Sequence, residues 1–406
     1  MGGALQSPDL DAMLGIVRST TFVDFKNALR SWHAPTQNFV YADKNGNIGM
    51  ISAGYFPQVK SGQPWLPLSG TGEADVIGTI PFDDLPQAYD PPDHMLFSAN
   101  QRVVTPNYPY YIGTSLDFFD PGYRADTIYH TLNQAHHLTI ADMQHLQQDT
   151  HDYLAQEMIP KLLTAISNQP PRTLQERQII SLLRDWDGNM STNSVAATFW
   201  IAFGGQYLYD TFHPWWQHFQ VPEKQDNKLA ITPATGSAAS VILTEDLENW
   251  TLHDPQNAAF SLPNGTRRVA AEVMRQAFSE TVVGLADTLG NNIHNWQWGQ
   301  VHSQVIPSLS RILSLGTVPR PDSGNSRTVN AADGAPIATA GPSWRFIMDW
   351  GSNQGIGIYP GGQSENPVSD WYDNQLNTWW TGHYYPMYTS KQLTTIPGLH
   401  TWTLQP

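Results

Sequence analysis

The sequence predicts an α+β fold, in which strands and helices occupy separate stretches of the chain. Segments with alternating apolar residues come first, segments with helical periodicity fill the middle, and short apolar segments return near the end. Sheet partners are therefore expected to lie far apart in sequence. Charged residues make up only 14% of the 406 residues, beside 31 glycines and 30 prolines, which indicates a loop-rich globular protein rather than a disordered or coiled-coil one.

The first part of the chain, residues 1–135, is predicted to hold core strands. Apolar residues at helical spacing predict one helix over 9–32, which Pro35 ends. The next segment, NFVYADKNGNIGMIS, has two alternating apolar runs around an Asn-Gly pair, which is a strong signal for a β-hairpin. The Pro- and Gly-rich residues 54–94 predict an ordered loop with one short strand near 76–82.

The middle part, residues 136–290, is predicted to be mainly helical. Two or three helices are expected over about 139–213, and another over about 266–289 before Gly290. Two helix starts have the three-residue spacing of a capping box, in which a hydroxyl and a carboxylate satisfy free N–H groups of the first turn. These pairs are Thr139 with Asp142 and Thr173 with Glu176.

The last part, residues 291–406, is predicted to return to core strands and loops. The runs WQWGQVHSQV and WRFIMDW are typical of strands. The stretches 225–243 and 317–343 are polar and rich in Gly and Pro, and they predict exposed excursions.

Composition excludes several classes of function. The formal net charge is −15 and the pI is near 5.2, so no nucleic-acid partner is expected, because phosphate binding needs clustered Lys and Arg. The absence of cysteine excludes disulfides, thiolate metal sites and a cysteine nucleophile. No uninterrupted apolar segment is long enough to span a bilayer, and no feature of the first twenty residues indicates a compartment.

The histidines and tryptophans do not form a catalytic motif that the sequence alone identifies. Four histidines lie in or before the first capped helix, where a solvated helix face is favoured over a metal site: His136, His137, His145 and His151. Trp296, Trp298 and His302 are expected to pack a strand rather than line a cofactor pocket.

Two neighbouring acids, Asp185 and Asp187, raise the alternative of glycoside hydrolysis, which uses a pair of carboxylates. The many aromatic side chains would suit a carbohydrate enzyme. The favoured interpretation is structural, because Asp187-Gly188 is a turn former at the end of a predicted helix.

The segment LFSANQRV, residues 96–103, predicts an apolar strand that ends on the side-chain amides of Asn100 and Gln101. An amide offers two N–H donors without a charge, so a fixed Asn can stabilise the oxyanion that forms when a carbonyl is attacked. Arg124, in the segment GYRAD, precedes a predicted helix and is suited to orienting polar groups near such a site. On spacing alone, a turn role for Asn100 and a salt bridge for Arg124 remain the simpler interpretations.

Eight blocks, in order along nearly the whole chain, resemble the penicillin acylase family of N-terminal-nucleophile amidohydrolases, which includes cephalosporin and acyl-homoserine-lactone acylases. The blocks are NFVYADKNGNIG, LPLSGTGEADVIGTIPFDDLP, SANQRV, GYRAD, LLRDWDGNMSTNS, WQWGQVHS, GPSWRFIMDW and YPGGQSENPVSDWYDNQL.

The resemblance implies a four-layer αββα core, incomplete here, with helical insertions. In the family, the N-terminal serine of a large chain attacks an acyl amide, with its own α-amino group as the base. An asparagine at the end of a strand stabilises the oxyanion, and it matches Asn100. An arginine that helps to orient the site matches Arg124.

Two further positions follow from the resemblance. Met13 falls in a helix that borders the acyl pocket in relatives and is a candidate for substrate binding. Pro64 matches a proline whose carbonyl binds a structural Ca²⁺ in relatives, although the other ligands of that ion have no match in this chain. No cofactor is expected to be required for catalysis.

The chain departs from the family at the nucleophile. The family's large chain begins with Ser well before the region that aligns with residue 1, so we expect this sequence to correspond to the C-terminal part of a large chain. We expect the chain alone to be inactive and to need the missing N-terminal part, namely the small chain and the start of the large chain. The expected substrate is a small acyl amide, and the family suggests a periplasmic or secreted protein. The alternative is an inactive fragment or pseudoenzyme with a structural or interaction role.

Overall fold

The structure is a computed structural model that describes residues 8–62, 66–113, 119–227, 230–233 and 237–388, without the side chains of 224–241. It contains two compact units. The first comprises Met1–Ala125, Leu132–Gln134 and Met348–Gln354, and the second comprises Asp126–Thr131, Ala135–Ile347 and Gly355–Pro406. The three-part division into 1–135, 136–290 and 291–406 stays a prediction. Within the described residues, no helix is both long and apolar enough to cross a membrane.

The first unit begins with two helices, α1 (Asp9–Arg18) and α2 (Phe22–Leu29), so the prediction of one helix over 9–32 is wrong. The chain breaks between the two helices because a capping box starts α2, and the periodicity of the apolar residues does not reveal it. The Thr21 hydroxyl accepts a hydrogen bond from the Asp24 N–H at 3.1 Å, and the Asp24 carboxylate accepts one from the Thr21 N–H. A new helix start at this point satisfies its own free N–H groups.

The predicted hairpin is confirmed. Strands β1 (Gln37–Ala42) and β2 (Ile48–Ala53) pair antiparallel, and a third strand, β5 (Gln87–Tyr89), extends the sheet in the order β1-β2-β5. The inner face of this sheet packs on the two helices. The large buried side chains of this core are Phe25, Leu29, Trp32 and Ile51.

The Pro- and Gly-rich residues 54–94 hold more strands than the sequence predicts. Strand β4 (Val76–Thr79) confirms the predicted one, and it pairs antiparallel with β3 (Pro57–Val59), which Pro57 begins. A proline usually argues against a strand, so the sequence pattern did not predict β3. Proline is nevertheless tolerated at the first residue of a strand.

The second unit is built around long helices. The structure has four between residues 139 and 218, where two or three were expected. Their bounds, with that of the preceding helix, are α3 (Tyr123–Gln134), α4 (Ile140–Gln147), α5 (Tyr153–Ile166), α6 (Leu174–Asp185) and α7 (Val195–His218). The Thr139 capping box is confirmed, and the hydroxyl of Thr173 likewise accepts from the Glu176 N–H.

Two more helices complete this unit, α8 (Ser237–His253) and α9 (Ala270–Leu289). The helix α9 confirms the predicted one, and Gly290 ends it with a φ of 88°, a conformation that favours glycine. The edge-to-face contact of Phe199 with Phe278, 5.5 Å between ring centroids, packs α7 against α9.

The predicted exposure of the stretch 225–243 stays a prediction, because the side chains of 224–241 lie outside the described residues. The stretch holds most of a hairpin, β6 (Glu223–Asn227) with β7 (Ala230–Pro233), and the start of α8.

The run WQWGQVHSQV contains a helical turn, α10 (Trp298–Val301), and its assignment as a strand is wrong except at β8 (Ser303–Gln304). The backbone N–H groups of Trp298 and Gly299 donate to carbonyls at Ser194 and Thr192 instead of to a neighbouring strand. Strand β8 pairs parallel with β10 (Ile337–Ala338) and antiparallel with β9 (Arg320–Pro321).

The stretch 317–343 is partly buried, which corrects the prediction of an exposed excursion. Asn325, Thr328 and Ala332 are almost fully buried. The prediction of exposure failed because polar side chains of this stretch form hydrogen bonds inside the protein. Asn325 Nδ2, for example, donates to Asp152 Oδ2 at 2.7 Å.

The run WRFIMDW is confirmed as a strand, β11 (Arg345–Asp349). It belongs to a three-stranded sheet in the order β11-β12-β13, with β12 (Gln354–Ile358) and β13 (Tyr385–Met387). A short helix, α11 (Leu376–Trp380), precedes β13.

Candidate active site

The segment that carries Asn100 is irregular, so its prediction as a strand is wrong. Asn100 has a φ of 67°, in the left-handed region that Asn tolerates better than most residues and that interrupts an extended strand. The Gln101 side chain forms hydrogen bonds with backbone groups of this segment that a neighbouring strand would otherwise bind. Its Oε1 accepts from the Ala99 N–H at 2.6 Å, and its Nε2 donates to the Phe97 carbonyl at 3.4 Å.

The structure brings Asn100 and Arg124 together in the first unit. Arg124 Nη2, on the first turn of α3, donates to Asn100 Oδ1 at 3.0 Å. A guanidinium group can only donate, so the amide oxygen must face Arg124 and the two N–H groups of Asn100 Nδ2 must point elsewhere. No acceptor for Nδ2 is found among the described residues, and the Asn100 side chain is exposed.

Asp120 is a third member of this group that sequence reasoning missed. Its Oδ2 accepts from Arg124 Nη2 at 2.9 Å, and its backbone N–H donates to the Asn100 carbonyl at 2.9 Å. The available signal was the spacing of DPGYR, which places an acid four residues before the arginine.

A cleft of about 270 Å³ opens beside Asn100 in the first unit. Part of its lining is polar, and two of these residues are linked because the Ser52 hydroxyl donates to Asn38 Oδ1 at 2.5 Å. Another part of the lining is apolar. The polar lining includes Asn38, Ser52, Asn100 and Gln101, and the apolar lining includes Phe56, Val103, Ile112 and Phe119. Such a cleft suits a ligand with an apolar body and a polar group near Asn100.

The other two predicted positions lie elsewhere. Met13 is on α1, where its side chain is 52% exposed. Pro64 lies outside the described residues. The described residues contain no group of three or more His, Cys, Asp or Glu side chains that could hold a metal ion. The Ca²⁺ site that the resemblance implies stays a prediction.

The second unit places the remaining candidates in structural roles. His151 lies between two carboxylates, with Nδ1 2.9 Å from Asp149 Oδ2 and Nε2 3.2 Å from Asp187 Oδ2. The sequence predicted a solvated helix face for His151, and this prediction is wrong. Hydrogen bonding to Asp149, followed by the charges of both acids, raises the pKa of His151 to about 9 although burial opposes this.

The neighbouring acids lie at a helix end and in a turn, as the structural interpretation predicts. Asp185 is exposed at the last residue of α6, and Asp187 forms the predicted turn, in which its Oδ1 accepts from the Asn189 N–H at 2.9 Å. Trp296, Trp298 and His302 are buried, and the rings of the last two stack at 4.3 Å, so they pack in the interior as expected, although not on a strand.

Comparison with known proteins identifies related enzymes. The family model described as penicillin amidase matches residues 3–395. The chain is 24% identical over 409 residues to penicillin acylase 2 proenzyme of Pseudomonas sp. (strain SE83), covering 97% of this chain and 48% of the relative. It is 26% identical over 437 residues to acyl-homoserine lactone acylase QuiP of Pseudomonas fluorescens, covering 98% of this chain and 51% of the relative. The chain thus spans about half the length of these relatives.

A solved structure shares the fold. The thermostable penicillin G acylase from Alcaligenes faecalis superposes with a TM-score of 0.64 and 18% identity, covering 98% of this chain and 73% of that one. The solved acylase has the N-terminal-nucleophile hydrolase fold, so the fold class predicted for this chain is confirmed. Together with the family match over nearly the whole sequence, it leads to one conclusion: the chain belongs to the penicillin amidase family, whose named relatives are acylases.

Proposed function

We propose that this chain is part of an amidohydrolase that cleaves a linear acyl amide, with Asn100 as an oxyanion donor and Arg124 as the residue that orients it. The observation that carries the proposal is the direction of the Asn100 amide. Arg124 binds Oδ1 at 3.0 Å, which leaves the Nδ2 donors for a ligand at the edge of the 270 Å³ cleft. The relatives are named for acylase activity on small molecules, which supports the substrate class.

The proposed chemistry is acyl transfer through an ester intermediate. A serine hydroxyl attacks the amide carbonyl while the α-amino group of the same serine takes its proton. The carbonyl oxygen becomes an oxyanion that accepts a hydrogen bond from Asn100 Nδ2. As the C–N bond breaks, the α-ammonium group returns this proton to the leaving nitrogen, so the amine is released and the acyl ester remains. Water then hydrolyses the ester. No cofactor is needed for these steps.

The serine is proposed to lie in the upstream part of the family's large chain, outside these 406 residues. The length of the relatives supports this, because the chain spans about half of each. The surface of α1 supports it as well. Four large apolar side chains are exposed along this helix, where the upstream part would cover them and Met13 would border the acyl group: Leu10, Met13, Leu14 and Val17.

The test compares the 406-residue chain with a complete enzyme that also contains the upstream part from its own gene. Both are assayed with chromogenic anilides that carry aromatic, fatty or dicarboxylic acyl groups. We expect amine release from at least one anilide with the complete enzyme and none with the chain alone. Release by the chain alone would disprove the location of the nucleophile. A folded, complete enzyme that released no amine would disprove the hydrolase function.

A second candidate function, an inactive fragment with a structural or interaction role, is favoured by the same length comparison. The DNA upstream of the reading frame separates the two. An in-frame Gly-Ser-Asn, preceded by a small-chain sequence and a signal peptide, supports an exported enzyme. A promoter and start codon directly before residue 1 support the fragment.

A further inference from the structure

We propose that Asp120 is a positioning residue that holds the Asn100 amide in its donor orientation, an inference that rests on the proposed function. Arg124 Nη2 has two protons and two acceptors, Asn100 Oδ1 at 3.0 Å and Asp120 Oδ2 at 2.9 Å. The carboxylate therefore fixes the direction in which this nitrogen presents its other proton. Asp120 acts on Asn100 through Arg124 and does not face the cleft itself.

Arg124 alone is poorly suited to hold the amide. A long arginine side chain loses much conformational entropy when it is fixed, so a single hydrogen bond orients it weakly. Its Nε is buried and has no acceptor among the described residues, which leaves Nη2 as the anchored end. Without Asp120, this end would keep only its contact with Asn100.

The Asp120 carboxylate is itself fixed before it meets Arg124. Its Oδ1 accepts from the Gly122 N–H at 3.0 Å, which is the local turn that an Asp makes with the residue two positions on. The Asp120 and Arg124 side chains are 20% and 21% exposed. Their ion pair is therefore less screened by solvent than a typical surface pair.

Asp120 also holds the backbone of Asn100. A residue with a φ of 67° occupies a sparsely populated conformation, which persists only when neighbouring groups support it. The Asp120 N–H donates to the Asn100 carbonyl at 2.9 Å and supplies such a contact. One residue thus stabilises both the main chain and, through Arg124, the side chain of the proposed donor.

The first test observes the Asn100 amide directly in the 406-residue chain. The chain is labelled with ¹⁵N-asparagine, and the Nδ2 resonances of Asn100 are assigned by their loss in Asn100→Asp. We expect these resonances to shift in Asp120→Ala and, to a smaller extent, in Asp120→Asn, which keeps the size of the side chain and an acceptor for Gly122. Asp83→Ala is the matched control, because Asp83 pairs with Lys26 and Arg30 in the same unit, and it should leave them unmoved.

Unchanged Asn100 resonances in a folded Asp120 variant would overturn the proposal. If Asp120→Ala does not fold, the Asn100 Nδ2 resonances of Asp120→Asn test the proposal in the same way.

The second test is kinetic and uses the complete enzyme. We expect Asp120→Ala to lower kcat by about tenfold with KM unchanged, less than the loss of the donor itself, because the donor is misplaced rather than removed. In an Asn100→Ala background the same substitution should cost nothing further. Fully additive losses would overturn the positioning role. If the unsubstituted enzyme cleaves no acyl amide, the proposed function fails, and the resonance test still decides the role of Asp120.

Discussion

Arg124 Nη2 donates to Asn100 Oδ1 at 3.0 Å, and this contact determines which end of the Asn100 amide is free. A guanidinium group has no acceptor, so the amide cannot be turned around without losing the bond. The structure therefore links a residue in an irregular loop to the first turn of α3, 24 positions later.

This relationship predicts the effect of Asn100→Asp in the complete enzyme. The carboxylate has the shape of the amide and keeps an acceptor for Arg124, but it has no N–H donor and adds a negative charge near the oxyanion. We expect kcat to fall by about a hundred- to a thousandfold, the usual cost of a lost oxyanion donor, with little change in thermal stability. Steady-state kinetics with an acyl anilide measure the effect. Asn45→Asp, in the exposed turn of the β1–β2 hairpin, is the control, and full activity of Asn100→Asp would exclude the donor role.

The second prediction concerns the pH dependence that His151 gives to stability. Because its two carboxylate partners raise its pKa to about 9 from an ordinary value near 6.5, the folded state binds the extra proton between these values. The stabilisation is complete below about pH 6.5 and is lost as pH rises through about 9. We expect His151→Gln to lower the free energy of unfolding by about 1 kcal/mol at pH 6 and by much less at pH 9.5.

Urea unfolding at the two pH values measures this difference. His294→Gln provides the control, since His294 is exposed. An equal effect of His151→Gln at both pH values would show that the ion pairs do not contribute.

The third prediction concerns the fully buried Asp152, which caps α5. Its carboxylate accepts from Trp200 Nε1 at 2.9 Å, from Asn325 Nδ2 at 2.7 Å and from Arg327 Nε at 3.0 Å. Asp152→Ala leaves these donors without their acceptor, and we expect it to lower the free energy of unfolding by about 3–5 kcal/mol. Chemical denaturation measures the loss. Asp287→Ala, at an exposed position of α9, should change stability by less than about 0.5 kcal/mol.

The sequence predicts features whose causes are local. The Asn-Gly hairpin, the Thr139 capping box and the Gly290 helix end each depend on residues within four positions of one another, and all three are confirmed. The strand predicted over 96–103 failed because the Gln101 side chain satisfies the backbone there, and periodicity does not reveal such a substitute.

The candidate site depends on contacts that local patterns do not contain. Spacing alone left Asn100 as a turn residue and Arg124 as a salt-bridge partner, and the family resemblance was needed to pair them. The salt bridge is also present, since Arg124 binds Asp120. The burial of Asn325 was missed for the same reason, because its partner Asp152 lies 173 positions earlier.

The last prediction concerns two acids that face each other between α7 and α9. Gln206 Nε2 donates to Asp210 Oδ1 and to Glu280 Oε2, each at 2.8 Å, so the two carboxyl groups are close. Burial, and then the charge of Glu280, raise the pKa of Asp210 to about 7. Arg268 opposes this only in part, and its guanidinium donates to the Asp210 backbone carbonyl, which a change of side chain leaves in place.

A carboxyl group with a raised pKa stabilises the folded state fully only below its unfolded pKa near 4, and this stabilisation is lost as pH rises through about 7. Asp210→Asn keeps the shape and the acceptor for Gln206 but carries no charge. We therefore expect it to raise the free energy of unfolding by about 1–3 kcal/mol at pH 8 and by less than about 0.5 kcal/mol at pH 4. Urea unfolding at both pH values, with the exposed Asp185→Asn as control, measures the difference. A variant that is destabilised at pH 8 would show instead that the ionised Asp210 is held by favourable contacts.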